Sequence, residues 1–193
     1  MLTLLPKQIQ LLTAEADVIL YGGARGGAKT LGSSAAAALE AIESYSESQV
    51  RMKHLDIKTF RVKQDPESKQ AIYYRFLIDY EYYNGVIVRR SIPQLRANSL
   101  IETRKIYPAY GARFDKEEYV WNFPSGAKIY LRPLFDERTL DFFQGPSFQR
   151  FIVEELTQFD QDMIEKAESC CRSAAPLGGG TRIPAKIIYT TNP

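Results

Sequence analysis

The sequence is poor in the residues that build disulfide frameworks and metal clusters: it has two cysteines, Cys170 and Cys171, and one histidine, His54. Adjacent cysteines offer neither the C-x-x-C spacing of a zinc site nor a disulfide framework, so buried thiols in a reducing compartment are expected. His54 lies in a basic, irregular stretch without a partner acid or cysteine, and a surface or packing role is expected for it. No run of about 18 uncharged apolar residues occurs, and the N-terminus lacks the charged, apolar and small-residue succession of a secretory signal. A membrane span is therefore not expected, and an intracellular protein is. Net charge is also small, +2 over 193 residues.

What is present is an ordinary globular composition, 45% apolar and 25% charged, which suits one domain with a sizeable core. Charge is unevenly placed. Residues 86–132 carry nine Lys or Arg against four Asp or Glu, whereas residues 133–170 carry three against nine. The basic stretch (Arg89, Arg90, Arg96, Arg104, Lys105, Arg113, Lys116, Lys128, Arg132) suits the phosphates of a nucleotide or of DNA, or else a solvated helix face.

Residues 2–12 read as a short helix with an apolar stripe at Leu4, Leu5, Ile9 and Leu12, entered through Pro6. Residues 17–21 read as a strand covered on both faces, ending at Gly22 and Gly23, and an alanine-rich helix runs from Thr30 to Ile42. Residues 44–83 are polar, then dense in tyrosine (Tyr73, Tyr74, Tyr80, Tyr82, Tyr83), and read as helical pieces whose rings pack under a lid or stack on bases. Asn84-Gly85 marks a turn, residues 86–88 a second buried strand ending at Arg89-Arg90, and residues 93–106 a helix. Residues 119–123 and 128–131 flank Pro124-Ser125-Gly126 as a β-hairpin; residues 151–153 and 186–189 are two further buried strands, and residues 178–180 a flexible glycine loop. Strands alternating with helices predict an α/β fold, a mostly parallel central sheet flanked by helices.

The strongest chemical signal is Gly22-Gly23-Ala24-Arg25-Gly26-Gly27-Ala28-Lys29-Thr30, between a strand and a helix. Glycines let backbone N–H groups curl around phosphate oxygens, and the helix N-terminus adds its positive end. Lys29 reaches the β and γ phosphates, and the Thr30 hydroxyl ligates Mg²⁺. Ala28 departs from the G-x-x-x-x-G-K-[ST] pattern, standing where the last glycine belongs. A second acid is needed for the metal and a base for water. Glu154 and Glu155, at the end of the third strand, supply the two, with Glu154 longer than the usual Asp. A catalytic glutamate beside the metal acid points to the additional-strand class of P-loop NTPases. The fourth strand ends in Thr190-Thr191-Asn192-Pro193, placing small hydroxyls and an amide where they sense a γ phosphate or merely end the strand.

Six segments in this order resemble, nearly end to end, the ATPase domain of the large terminase subunit of tailed bacteriophages: LLPKQ (4–8), the loop 21–30, VIVRRSIPQL (86–95), WNFPSGAKIYL (121–131), FQG (143–145) with FIVEELTQF (151–159), and TTNP (190–193). The resemblance implies an ATP- and Mg²⁺-dependent motor that drives double-stranded DNA into a procapsid. It also implies a homo-oligomeric ring at the portal in the host cytoplasm, with portal protein and small terminase subunit as partners. By position, it makes Gln8 the reader of the adenine edge, with Gln10 close enough to confuse the register. Arg25 becomes a cis arginine on the γ phosphate, Glu155 the catalytic acid, Glu154 with Thr30 the metal pair, and Thr191-Asn192 the coupling motif. Gly23, Ala24, Gly26, Gly27, Ala28 and Lys29 form the phosphate cradle. Arg89 and Arg90 are left open between nucleotide, a neighbouring subunit and DNA. On the same resemblance, residues 1–193 form an ATPase domain incomplete at its C-terminus and without a nuclease domain, and residues 44–83 form an insertion, lid or subunit contact. The alternative is a nucleotide- or portal-binding module of the same fold that does not hydrolyse.

Overall fold

Runs rich in Val, Ile, Phe and Tyr favour pleated, half-buried surfaces, and five of them form the parallel part of a seven-stranded sheet. The computed structural model describes residues 4–22, 29–178 and 180–191. In chain order the elements are α1 (Pro6–Thr13), β1 (Val18–Tyr21), α2 (Lys29–Leu39), β2 (Ala41–Ser46), α3 (Glu47–Met52), β3 (Arg61–Gln64), β4 (Ala71–Phe76) and β5 (Asn84–Arg89). Then follow α4 (Ile92–Gln94), α5 (Leu100–Ile106), β6 (Arg113–Asp115), β7 (Val120–Asn122), β8 (Lys128–Pro133) and α6 (Glu137–Leu140). The last are β9 (Arg150–Val153), α7 (Gln161–Glu168), β10 (Pro176–Gly178), β11 (Thr181–Arg182) and β12 (Lys186–Thr190).

The main sheet has the order β1-β12-β9-β5-β8-β7-β6, parallel from β1 to β8 and antiparallel over the last two strands. β12 thus lies between β1, which leads to the glycine loop, and β9, which leads to the acids. That is the additional-strand arrangement. Register brings the C-terminal ends of these strands level: Tyr21 pairs with Thr190, Tyr189 with Val153, and Val153 with Val88. Such an edge, outside the carboxyl ends of parallel strands, is where open α/β sheets bind ligands.

Both faces of the sheet are covered. On one, Ile87, Ile129, Leu131, Ile152 and Ile188 pack with α2 and the helix through residue 106. Ala35 to Ala38 are fully buried there, since a methyl side chain lets the helix lie close to the strands. The Tyr107 hydroxyl donates to the Ser34 carbonyl at 2.8 Å, and the Tyr83 hydroxyl to the Ala37 carbonyl. On the other face Val86, Val88, Phe151 and Val153 pack against Phe143, Phe148 and α7 through Ile164 and Ala167.

Several expectations are corrected. β1 is an edge strand among the described residues: Val18 and Leu20 are 57% and 65% exposed, so its apolar run is not covered on both faces. α1 buries Gln8 and Leu11, while Leu5 and Ile9 face outward. The alanine-rich helix ends at Leu39, and Ile42 belongs to β2. Residues 44–83 are not a set of helical pieces: β2, β4 and β3 form a separate antiparallel sheet, with only short helical turns beside it. Its aromatic and β-branched residues pair across strands, as with Tyr45 opposite Tyr73 and Val62 opposite Tyr73. Tyr73, Tyr80 and Tyr83 are buried, so packing is their role, whereas Tyr82 is exposed. A short antiparallel hairpin, β10 with β11, replaces the loop expected at 178–180; Gly179 lies outside the described residues.

The expectations for the second hairpin and for His54 hold. β7 and β8 form the hairpin about Pro124-Ser125-Gly126, where Gly126 takes φ +101° and a Cβ would meet the Glu81 carbonyl at 3.1 Å. His54 is exposed; of the two cysteines expected to be buried, Cys170 is and Cys171 is half-buried. Among the described residues no helix is long and apolar enough to cross a membrane.

Candidate active site

β1 ends at Tyr21 and α2 begins at Lys29, so a strand precedes the glycine-rich segment and a helix follows it. Gly23, Ala24, Arg25, Gly26, Gly27 and Ala28 lie outside the described residues, as does Asn192. The site is therefore built from α2, the ends of β5, β9 and β12, and the helix that follows β5.

Glu154 stands directly after β9, 1% exposed, its N–H donating to the Val88 carbonyl at 2.9 Å as the last rung of the ladder. Among the described residues three side chains donate to its carboxylate. The Ser33 hydroxyl gives Oε1 a bond of 2.6 Å; the Ser99 hydroxyl and Arg89 Nε give Oε2 bonds of 2.6 and 2.7 Å. A buried carboxylate is tolerable only when paired and hydrogen-bonded, and this one is both. Arg89, the last residue of β5 and 5% exposed, also donates through Nη2 to the Thr30 hydroxyl at 3.2 Å. One guanidinium thus joins the hydroxyl at the start of α2 to the acid at the end of β9. Thr30 and Glu154, picked out from distant parts of the sequence, meet in space.

Ser33 lies three residues past Thr30, on the same side of α2. Ser99 reaches the acid differently. The helix from Ile92 to Ile106 contains a π-helical stretch, Leu95–Ser99, between α4 and α5. The wider turn shifts the register of everything after it, and Ser99 at its end faces Glu154.

Glu155 does not continue the strand. β9 ends at Val153, and Glu155 adopts the left-handed conformation at φ +60°, ψ +56°, uncommon for a residue with a side chain. Its direction is therefore set by this turn rather than by strand alternation. Its N–H donates to the Thr190 hydroxyl at 3.3 Å, fixing it to the end of β12. Backbone strain of this kind persists where the surroundings impose it, characteristically at functional sites. Thr191 follows immediately, half-buried.

Gln8 is turned into the protein. Its Oε1 accepts from the Leu5 N–H at 2.7 Å, and its Cγ lies against Gly32 of α2, where a Cβ would sit 3.1 Å away. Arg90 is half-buried, with Nη1 buried and lacking a hydrogen-bond partner among the described residues. The remainder of the basic stretch disperses: Arg132 lies over the Phe142 ring, Lys105 pairs with Glu102 at 2.7 Å, and Arg96, Arg104, Arg113, Lys116 and Lys128 are exposed. Sequence reasoning assigns no role to Ser33 or Ser99. The helical spacing from Thr30 signals the first, whereas a π-helical stretch leaves no such signal.

A hydroxyl and a carboxylate converging on one cation are hard oxygen donors of the kind Mg²⁺ takes, so the chemistry of the pair fits that ion. Among the described residues no three His, Cys, Asp or Glu gather into a metal cluster. A divalent ion here would depend on Thr30, Glu154 and the oxygens of a bound ligand.

No family model matches the sequence, and no curated protein matches it. Solved structures do. The chain superposes on the large terminase from a thermophilic bacteriophage with a TM-score of 0.59 at 18% identity, over 97% of this chain and 39% of that one. The same phage protein in complex with ADP gives 0.56 at 18% identity, and in complex with ATP-γ-S 0.55 at 17%, each over 97% of this chain and 38% of the other. The chain spans about two fifths of the length of these structures. At such identities the likeness is one of architecture: the protein has a terminase-like fold, a mixed α/β domain with a mostly parallel central sheet.

Proposed function

We propose that the chain is the ATP-hydrolysing part of a terminase-type motor that moves double-stranded DNA. The observation that carries this reading is the meeting of Thr30 with Glu154 through Arg89 at one sheet edge, where strand order β1-β12-β9 also places Glu155 and Thr190. That the thermophilic phage terminase of similar fold has been solved in complex with ADP and with ATP-γ-S supports nucleotide binding.

On this reading Lys29 and the N-terminal end of α2 hold the phosphates, through a point charge and the helix dipole. Thr30 and Glu154 are the residues that hold Mg²⁺, which when bound neutralises phosphate charge. Glu155 accepts a proton from, or orients, the attacking water. Its αL backbone and its bond to Thr190 fix where its carboxylate starts from, which is the purpose of preorganisation. Arg25 is assigned to the γ phosphate and Gln8 to the adenine edge on the resemblance alone. Thr191 and Asn192 are assigned the relay of the phosphate state on the resemblance as well. The portal, the procapsid, the small terminase subunit and further copies of the chain are the partners this reading expects.

The test is turnover of the intact protein carrying Glu155→Gln. Loss of a general base costs about 10²–10⁴-fold in rate, so phosphate release falls by at least about a hundredfold while ADP affinity stays within about threefold. Undiminished release removes Glu155 from the role. A second reading, a nucleotide-binding module that does not hydrolyse, is favoured by one observation: the Glu154 carboxylate already accepts from Ser33, Ser99 and Arg89. Tight ADP binding with no phosphate release by the unmodified protein establishes that reading instead.

A further inference from the structure

Arg89 holds the two oxygen groups that the nucleotide reading assigns to a divalent ion. Its Nε is fixed by Glu154 at 2.7 Å and lies 3.1 Å from the Ser99 hydroxyl, while Nη2 alone reaches Thr30, at 3.2 Å. The side chain is nearly fully buried and cannot leave for solvent without opening the packing between β5 and α2. One planar guanidinium makes both contacts at once, so its positive charge lies beside the Thr30 hydroxyl.

We propose that Arg89 is a positioning residue and built-in counter-cation of this site: it holds Glu154 in place throughout, and its contact with the Thr30 hydroxyl and the contact of a divalent ion with that hydroxyl exclude one another. The inference rests on the nucleotide reading and deepens it. A guanidinium and a dication sharing one hydroxyl lie close enough to repel strongly at the effective dielectric of a protein interior. The Nε end, held by two partners, stays; the Nη2 end, held by one, gives way. Binding of metal thereby requires a local rearrangement at the end of β5.

The test uses Mn²⁺ alone as the probe, its affinity for the nucleotide-free chain read by electron paramagnetic resonance, with ADP binding measured separately by calorimetry. Arg89→Gln, which removes the charge, tightens Mn²⁺ binding by at least about tenfold, as expected when a like charge leaves the site. Arg89→Lys, which keeps a charge there, stays within about threefold of the unmodified chain. A merely structural role would not separate the two variants in this way, and equal Mn²⁺ affinity in the unmodified and Gln chains overturns the proposal. Should the Gln variant fail to fold, the structure of the unmodified chain with Mg²⁺ and ADP decides. Arg89 Nη2 out of hydrogen-bond reach of Thr30 supports the proposal, and retention of that bond beside the metal overturns it. ADP binding combined with unchanged Mn²⁺ affinity brings down this inference only, whereas absence of ADP binding brings down the nucleotide reading and this inference together.

Discussion

Glu40 Oε1 lies 2.6 Å from Lys186 Nζ, and Glu40 Oε2 lies 2.8 Å from Arg150 Nε. Arg150 opens β9 and Lys186 opens β12, the two strands whose other ends carry Glu154 and Thr190. A buried carboxylate flanked by two buried cations therefore ties the strands together at the edge opposite the candidate site. Glu40→Gln leaves both cations without their shared counter-charge, and breaking buried pairs costs about 3–5 kcal/mol. Arg150→Met costs less, because Glu40 keeps Lys186, even though the Gln149 and Pro184 carbonyls lose the bonds they accept from Arg150 Nη1. Urea unfolding of the two variants checks the ranking; an Arg150 variant as unstable as the Glu40 variant would show that the clamp is not centred on the carboxylate.

Alkaline pH is expected to destabilise the fold through buried acids that resist ionisation. Burial pushes the Cys171 thiol up to about 11 and Cys170 up to about 12, and it raises the phenols of Tyr83 and Tyr107 far above their ordinary range. All four bind protons more tightly in the folded chain than in the unfolded one. Stability from these groups is thus complete below their unfolded values, near 9 for the thiols and 10 for the phenols. It is lost as pH rises, because the unfolded state releases protons that the native state keeps. Chemical denaturation across pH 7 to 11 should show a flat stability up to about pH 9 and a decline beyond it, approaching about 1.4 kcal/mol per pH unit for each fully buried phenol above about pH 10. A decline already present between pH 7 and 8 would assign the effect to other groups. By the same burial, a thiol reagent at pH 8 labels Cys170 only at the rate of unfolding.

The parts of this fold legible in the sequence are those whose pattern is local. β5 and β9 are short apolar runs buried along their length, β12 is a third in which Ile187 and Tyr189 are half-buried, and a strand and a helix flank the glycine-rich segment. Periodicity does not say how many neighbours a strand has, which is why β1, equally apolar, reads from its residues as covered on both faces. The sheet of β2, β3 and β4 escapes a pattern reading because charged and aromatic side chains share its faces. Arg75 lies over the Phe60 ring and Lys63 over the Tyr74 ring, so no clean alternation marks the strands. At the site, Glu154 is identifiable from its strand, but its partners lie 65 residues away at Arg89 and 55 away at Ser99. Arg89 becomes its obvious partner only once the parallel register of Val88 with Val153 is known.

That register also makes the three donors to Glu154 separable by mutation. Ser33 serves Oε1 from α2, and Ser99 serves Oε2 from the π-helical stretch, each at 2.6 Å. Hydrogen bonds to a charged group contribute about 1.5–3 kcal/mol each, so Ser33→Ala and Ser99→Ala are each expected to lower stability within that range. The two hydroxyls touch the same carboxylate, and residues in one network rarely act independently. After loss of Ser99, Oε2 keeps Arg89, whereas after loss of Ser33, Oε1 has no donor among the described side chains. Ser33→Ala should therefore be the more damaging single change, and the double variant should depart from the sum by at least about 0.5 kcal/mol. Equal single effects that add within error in a double-mutant cycle would mean that Glu154 is held by Arg89 and its backbone, with the serines contributing only as neighbours.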